Sequence, residues 1–96
     1  MKMFMLIYDV DFDEEVMQTL DACCVTGYTK WDKVMGKGAR SDPKLDNAVW
    51  PGFNCAVMLE ATGDTEDEVF EALQALHRRL GQKGFKVFSW PLEWVI

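Results

Sequence analysis

Hydrophobic side chains recur along the chain with two different spacings, one typical of strands and one typical of helices. Four stretches are apolar on one or both of their alternating faces, as β-strands are: residues 3–10, 28–35, 54–61 and 85–90. Two others repeat their apolar positions every three or four residues, as amphipathic helices do: residues 13–24 and the segment between Gly63 and Gly81. The pattern therefore predicts four strands and two helices in the order β-α-β-β-α-β.

Glycine and capping residues mark where these elements are predicted to begin and end. Gly27 is placed to end the first helix as a left-handed cap. Thr65 and Glu68 have the spacing of a capping box at the start of the second helix. Pro91 is expected to interrupt the last strand, and residues 92–96 are expected to form a short edge segment.

The predicted order is that of a ferredoxin-like α+β sandwich, in which two helices cover one face of a four-stranded antiparallel sheet. At this length, residues 1–96 make a single domain. Residues 3–10 are apolar on both faces, and aromatic and methionine residues continue in the second and fourth strands. The second face of the sheet is therefore expected to be dry, which on so small a domain implies self-association.

The charge of the chain is negative overall but positive in its centre. The formal net charge of −6 argues against general nucleic-acid binding, which needs a cationic surface. Residues 27–54 nevertheless carry five bases against three acids. This central stretch is therefore the first place to expect an anion-binding site. The alternative is that these basic side chains only solvate a polar loop.

The cysteines and the longest apolar run indicate where the protein resides. The chain has three cysteines, Cys23, Cys24 and Cys55, and the neighbouring pair is badly placed to form a disulfide with each other. An odd number of cysteines without a suitable pair favours reduced thiols in the cytoplasm. The apolar run at residues 3–8 is too short for a signal peptide, and no run approaches the roughly 18 apolar residues of a membrane span. We therefore expect a cytoplasmic protein without membrane insertion.

Motifs for catalysis or metal binding do not stand out. Cys23-Cys24 lacks the spacing of a tetrahedral metal site, and His77 is a lone histidine late in a helix. No Ser or Cys lies in a nucleophile motif, and the helix dipole explains the paired acids at the helix starts. The sequence therefore predicts no catalytic residues, no metal ligands and no enzyme.

The second strand leads into the most suggestive segment of the chain. Strict alternation would place Trp31 and Met35 on one face and Lys30 and Val34 on the other. The strand then breaks at Gly36-Lys37-Gly38, where two glycines let backbone amides approach an anion and the lysine adds a charge. A strand end that needs positive φ would produce the same turn, so both interpretations stay open.

Three motifs in this region resemble the nitrogen-regulatory P-II-like superfamily, particularly its short members. They are Gly27-Tyr28-Thr29, Val34-Met35-Gly36-Lys37-Gly38 and Trp50-Pro51-Gly52-Phe53-Asn54. The resemblance covers the whole chain. It implies a homotrimer whose sheets line a central core, with small effectors bound in the clefts between neighbouring subunits.

The resemblance also implies roles for individual residues. The residues that would border the effector cleft are Gly27, Thr29, Gly36, Lys37 and Gly38. Residues 39–49 would form a loop that reports the bound effector, with partner contacts at Arg40, Lys44 and Trp50. In P-II proteins that loop contacts target enzymes, membrane transporters or regulators, and the implied effector is ATP, ADP or another small anion.

Departures from the family pattern leave other functions open. The loop is far shorter than in nitrogen-regulatory members, and residues 81–86 only partly match their Gly-rich phosphate turn, with Phe85 where a second close glycine would help. One alternative is a divalent-metal-responsive trimer of the related CutA type, whose soft ligands would be the three cysteines and His77. The other is an enzyme of the dimeric α+β-barrel kind with an enclosed pocket.

Overall fold

The described part of the chain folds into the elements that the hydrophobic pattern predicts, in the predicted order. The computed structural model describes residues 1–39, 42–81 and 83–96. Its elements are β1 (Lys2–Asp9), a 3-10 turn (Val10–Phe12), α1 (Asp13–Ala22), β2 (Thr29–Val34), β3 (Asn54–Ala61), α2 (Asp64–Arg79) and β4 (Phe85–Pro91). The ferredoxin-like α+β prediction is confirmed.

The strands form one antiparallel sheet in the order β2-β3-β1-β4. β1 pairs with β3 along its whole length, from Lys2 opposite Ala61 to Asp9 opposite Asn54. On its other side β1 pairs with β4. β1 is therefore central, and its residues are apolar both on the face beneath the helices and on the uncovered face.

One face of the sheet lies under the two helices and contains the core. The buried core side chains are Phe4, Leu6, Tyr8, Val16, Leu20, Cys55, Val57, Leu59, Ala61, Val69, Leu73, Leu76 and Phe85. They include three positions of the apolar stripe that helical spacing predicts for α2. Burying one large apolar side chain contributes about 1.5–3 kcal/mol, so this face supplies most of the stability of a single chain.

The first helix ends at Ala22, and its left-handed cap residue lies three residues before the glycine that the sequence predicts as the cap. Cys24, with φ of 60°, takes the left-handed conformation that closes α1. Its N–H donates to the Asp21 carbonyl, and the Val25 N–H donates to the Leu20 carbonyl, which are the paired bonds of a Schellman cap. The prediction that Gly27 caps this helix is therefore wrong, because the terminal bonds already close at Cys24.

The second helix begins without the predicted capping box. α2 starts at Asp64, and its N-cap is Gly63, with φ of 56° and no side chain to accept a cap hydrogen bond. Thr65 already lies within the first turn, so its predicted pairing with Glu68 is wrong. Gly81, with φ of 81°, ends the helix as predicted.

β2 contains a β-bulge that changes which face of the sheet its last residue occupies. Trp31 lies opposite Ala56, and Val34 lies opposite Asn54, so one extra residue stands between the two pairs. Such a β-bulge turns the residues beyond it to the other face. Val34 therefore shares a face with Trp31, and the strict alternation that grouped it with Lys30 is wrong.

The end of the chain also differs from the prediction. β4 includes Pro91, which lies opposite Lys2. A proline is tolerated there because β4 is an edge strand, where the missing N–H has no ladder partner. The Leu92 N–H donates to the Met1 carbonyl at 3.0 Å, and residues 92–96 then lie outside the sheet. The predicted edge segment at these positions is wrong.

The other face of the sheet, which we call the open face, is mostly apolar, with Thr29, Asn54, Glu60 and Lys86 among its polar positions. Strand pairing places on it Met3, Met5, Ile7, Trp31, Val34, Ala56, Met58, Phe88 and Trp90. The exposed fractions of Trp31, Phe88 and Trp90 are 43%, 43% and 41%. Neither helix covers this face, so the sheet has the apolar second surface that the sequence predicts.

Candidate functional site

The segment after β2 folds back on itself, so that Lys44 forms an antiparallel backbone bridge with Gly36. The Gly36 N–H donates to the Lys44 carbonyl over 2.7 Å, and the Lys44 N–H donates to the Gly36 carbonyl over 2.6 Å. These reciprocal bonds hold Gly36 beside Lys44 and so fix the base of the loop that begins after Gly36. The predicted partner residue Arg40 lies outside the described residues.

The side chain of Lys44 fastens this loop to the sheet. Its Nζ lies 2.9 Å from Oδ2 of Asp9, at the end of β1. The hydrogen bond to Asp9 and the charge of that carboxylate raise the pKa of Lys44. A Cβ on Gly52 would come within 2.9 Å of Lys44 Cδ, so the glycine of the Trp-Pro-Gly turn makes room for the lysine. Lys44, predicted as a partner contact, is engaged within its own chain.

The Trp-Pro-Gly turn has a defined hydrogen-bonded shape. Oδ1 of Asn47 accepts the Val49 N–H at 3.1 Å and the Trp50 N–H at 2.7 Å, which is the pattern of an Asx-type turn. The Asn47 N–H donates in turn to the Trp50 carbonyl at 3.0 Å. Trp50, the third predicted partner contact, is half-buried in this turn.

A lysine of β2 holds the later part of the loop against the sheet. Lys33 Nζ lies 3.0 Å from Oδ2 of Asp46 and 4.8 Å from the centre of the Phe53 ring. A cation this close to an aromatic face is attracted to it. Together with the Asn47 turn, these contacts give the later half of the predicted reporting loop a defined conformation.

The loop base and the turn before β4 border one broad depression at the same end of the sheet. It is open, with a volume of about 1520 Å³, and extends from the open face around the edge of β4. The lining residues from these two segments are Gly36, Lys37, Gly38, Ala39, Asp42, Lys44, Gly81, Lys83, Gly84, Phe85 and Lys86. The structure thus brings the predicted Gly-Lys-Gly residues to the same depression as the partial match to a phosphate turn.

Gly84 packs this turn closely against β1. It has φ of 72°, and a Cβ there would lie 3.1 Å from Phe12 Cε2 and 3.4 Å from Asp9 Cβ. Its carbonyl accepts the Asp9 N–H at 2.7 Å. The next residue, Phe85, is buried with its ring centre 6.3 Å from that of Tyr8. The Phe85 ring therefore packs in the core and does not stand between the turn and solvent.

The charges of the depression suit a small anion. Four lysines and two aspartates are among the described residues that line it. Lys44 is already paired with Asp9, whereas Lys37, Lys83 and Lys86 are exposed. Of these three exposed cations, Lys86 has its Nζ 5.4 Å from the centre of the Phe88 ring. An anion entering the depression would meet all three and would compete with Asp9 for the fourth lysine.

The other two predicted effector residues lie at the far end of β2. Thr29 begins this strand, and Gly27 lies exposed in the connection before it, whereas Gly36 follows the end of the strand. Six residues of strand, at roughly 3.3 Å each, separate the two groups by about 20 Å. Within one chain the predicted residues therefore form two groups, and a cleft shared by both needs a second copy.

Sequence reasoning missed a polar cluster beneath the sheet. Tyr8 Oη donates to Oδ1 of Asp13 at 2.7 Å, and Lys30 Nζ lies 2.9 Å from Oδ2 of the same carboxylate. Burial, and then the hydrogen bond to Asp13, raise the pKa of Tyr8 above its usual range. Burial by itself raises the pKa of Asp13, but the hydrogen bonds from Tyr8 and Lys30 outweigh it and lower that pKa.

A sequence signal for this cluster was available. Alternation places Lys30 on the helix-covered face, and a lysine there needs an anionic partner. Asp13 at the start of α1 supplies that partner, and Tyr8 of β1 completes it. The cluster joins two strands to the first helix and therefore acts in stability.

The thiols and His77 do not form a metal centre. Cys23 Sγ lies 4.0 Å from the Glu68 carbonyl oxygen, and Cys55 Sγ lies 3.2 Å from the Asp32 carbonyl oxygen. Burial raises the pKa of both thiols, which disfavours the thiolate that binds metal. No three His, Cys, Asp or Glu side chains of the described residues group as a metal site requires. The geometry gives no support to the metal-responsive alternative.

A second depression lies beside α1. It has a volume of about 550 Å³ and is lined by residues that include Asp13, Met17, Val25 and Tyr28. Like the larger depression, it is open to solvent. Neither provides, within a single chain, the enclosed pocket that the dimeric-barrel alternative expects.

Comparison with known proteins finds similar three-dimensional structures but no similar sequences. No protein-family model matches the sequence, and no curated protein matches it significantly. One similar structure is that of CPII, a nitrogen regulatory PII-like protein from Thiomonas intermedia K12, bound to ADP, AMP and bicarbonate. Its TM-score with this chain is 0.72. CPII bound to ADP and bicarbonate matches with a TM-score of 0.73. Each of these matches is 18% identical and covers 93% of this chain and 82% of CPII.

A third match agrees with these two. A 2.3 Å structure of CPII bound to ADP, AMP and bicarbonate has a TM-score of 0.65 at 20% identity, over 92% of this chain and 86% of CPII. The chain therefore has the fold of nitrogen regulatory PII-like proteins, as its motifs predict. Among the described residues, no helix combines the length and apolar character needed to span a membrane.

Proposed function

We propose that the chain is a P-II-like signal-transduction protein without catalytic activity, which assembles as a homotrimer and senses a small effector between its subunits. The open face carries this proposal. It leaves Trp31, Phe88 and Trp90 each more than two fifths exposed, although such rings gain most from burial. Three copies that turn their open faces toward one another hide these rings from water and create crevices where they meet.

The effector cleft is proposed to form where the depression of one copy meets the start of β2 in the next. Gly36, Lys37 and Gly38 of one chain would then share a cleft with Gly27 and Thr29 of its neighbour. Such a cleft would unite two groups of residues that lie apart within one chain. Because the exposed lysines suit an anion, and CPII has this fold and was solved with ADP, AMP and bicarbonate, the proposed effector is ATP, ADP or another small anion.

Signalling is proposed to run through the base of the loop. An anion that draws Lys44 from Asp9 weakens the contact that fastens this base to β1. A ligand shifts a protein toward the conformation that it binds more tightly. The loop of residues 39–49 would then present a changed surface to a partner, which we take to be a membrane transporter or a regulatory protein reached from the cytoplasm.

Calorimetric titration of the full chain with ADP, ATP, AMP, cyclic nucleotides and bicarbonate tests the effector. We expect binding heat with at least one of them. Lys37→Ala should weaken that binding by about tenfold, since a charge-assisted hydrogen bond is worth on the order of 1.5–3 kcal/mol. Arg79→Ala is the control, because this exposed cation ends α2 and does not line the depression. No heat and no thermal shift with any ligand would remove the effector part of the proposal.

Subunit number separates the proposal from its remaining rival. Light scattering of the purified chain should give three copies. Two copies, with a cofactor that remains bound through purification, would favour the dimeric-barrel enzyme instead.

A further inference from the structure

The segment that follows β4, residues 92–96, carries apolar side chains that its own chain leaves in water. The exposed fraction of Trp94 is 83% and that of Val95 is 54%. The Leu92 N–H is held by the Met1 carbonyl, so the segment leaves the sheet from a fixed point. A tryptophan this exposed, in a segment that starts at the edge of an uncovered sheet, indicates a contact outside its own chain.

The three exposed rings of the open face supply only part of the area that a stable interface buries. An aromatic side chain offers roughly 150–250 Å², so three rings that are 41–43% exposed leave on the order of 250 Å² between them. A stable interface buries about 800 Å² on each partner. Trp94, at 83% exposed, would add on the order of 200 Å² to this area.

The length and starting point of the segment match the surface it would cover. Five residues in extended conformation reach roughly 17 Å. Four strands spaced about 4.8 Å apart span about 14 Å from the first strand to the last, so the segment can cross the sheet. It begins beside Trp90, at the edge of the open face, yet Trp90 remains 41% exposed, so the segment does not cover the face of its own chain.

We propose that residues 92–96 of one copy lie across the open face of the next copy, with Trp94 as the anchor. This inference rests on the proposed homotrimer and names the segment that completes its interface. Each copy then donates one segment and receives another, which closes the ring of three and covers the rings of Trp31, Phe88 and Trp90. Aromatic anchors of this kind carry much of the binding energy of an interface.

Photo-crosslinking between distinguishable copies tests where the segment lies. Full-length chains with p-benzoylphenylalanine in place of Trp94 are mixed with isotope-labelled wild-type chains, allowed to exchange, and irradiated. We expect links from position 94 to labelled peptides of β1, β3 or β4. The same photo-reactive residue in place of Val49, which is 74% exposed in the loop, is the control and should give no such links.

The strength of assembly gives a second readout. Trp94→Ser should raise the concentration needed for half-assembly by at least about tenfold, whereas Val49→Ser should change it by less than about twofold. If the wild type forms trimers, links confined to the same chain and unchanged assembly of Trp94→Ser would overturn the placement and leave the trimer standing. A wild type that stays a single chain in this assay would overturn the trimer, and the placement with it.

Discussion

The two faces of the sheet use neighbouring residues of the same strands and differ in how they are covered. On β1, Leu6 is fully buried beneath the helices, whereas Met5 and Ile7 on either side of it are half-buried on the open face. Both faces are apolar, so composition alone does not distinguish them. The difference teaches that one face holds a single chain together, and the other is available to join chains.

The largest difference between the faces is expected in the stability of the isolated chain. Leu6→Ala should lower the free energy of unfolding by about 2–5 kcal/mol, because it leaves a cavity in a closed core. Met5→Ala, one residue along, should cost well under half as much in dilute solution, where its side chain already meets water. Urea unfolding of both variants at low protein concentration measures this. Equal losses would mean that the open face is already sealed within one chain.

Assembly should show the reverse sensitivity. Phe88→Ser on the open face should weaken assembly by about tenfold, which corresponds to about 1.4 kcal/mol, and should leave the single chain folded. Val49→Ser is the control, because Val49 is 74% exposed in the loop before β3 and does not line the depression. Sedimentation over a range of concentrations compares them. If both variants assembled equally, the open face would not be the contact.

The polar cluster of Tyr8, Asp13 and Lys30 makes the stability of the helix-covered face depend on pH. Asp13→Asn should lower the free energy of unfolding by about 1–2 kcal/mol, because it removes the charge that pairs with Lys30. Glu14→Gln, the same change at an exposed neighbouring residue, should lower it little. Since the pKa of Asp13 is lowered on folding, its contribution is present above its ordinary value of 3.8 and is lost as pH falls through the folded pKa.

Unfolding curves between about pH 2 and pH 6 measure this loss, because carboxylate titrations fall in that range. The difference in stability between wild type and Asp13→Asn should shrink toward the acid end. A difference that stayed constant with pH would show that the charge of Asp13 contributes nothing.

The smallest effect is expected at the end of α1, remote from either face. Cys24→Gly should raise stability by about 1 kcal/mol, because glycine adopts the left-handed conformation without the strain of a Cβ. Ala22→Gly, two residues earlier and inside the helix, should instead lower stability by roughly 0.5–1 kcal/mol. Thermal unfolding of the two variants checks both signs, and a loss of stability for Cys24→Gly would contradict the cap assignment.

Most of the fold could be predicted because hydrophobic period and element order determine it. β3 was predicted with the bounds that the structure has, and the buried stripe of α2 followed from helical spacing. The errors lie where local backbone geometry decides. A Schellman cap at Cys24 replaced the glycine cap at Gly27, and the bulge in β2 turned Val34 to the other face. A one-residue bulge leaves no mark in the hydrophobic pattern.

The candidate site could be predicted only in part, because its pieces come from distant parts of the chain. Residue types alone identify the Gly-Lys-Gly turn and the partial phosphate turn at residues 81–86, and the structure shows that both line one depression. Lys44 was read as a free partner contact, but its pairing with Asp9 depends on the path of the intervening chain. Long-range pairs of this kind have no signature in local sequence.

The most direct test of the open face is the mass of the full-length chain in solution. Sedimentation equilibrium at tens of micromolar should give three times the 11.0 kDa of one chain, with Trp31 and Trp90 protected from a soluble fluorescence quencher. A stable species of 11.0 kDa under the same conditions, with these rings still accessible, would contradict the account.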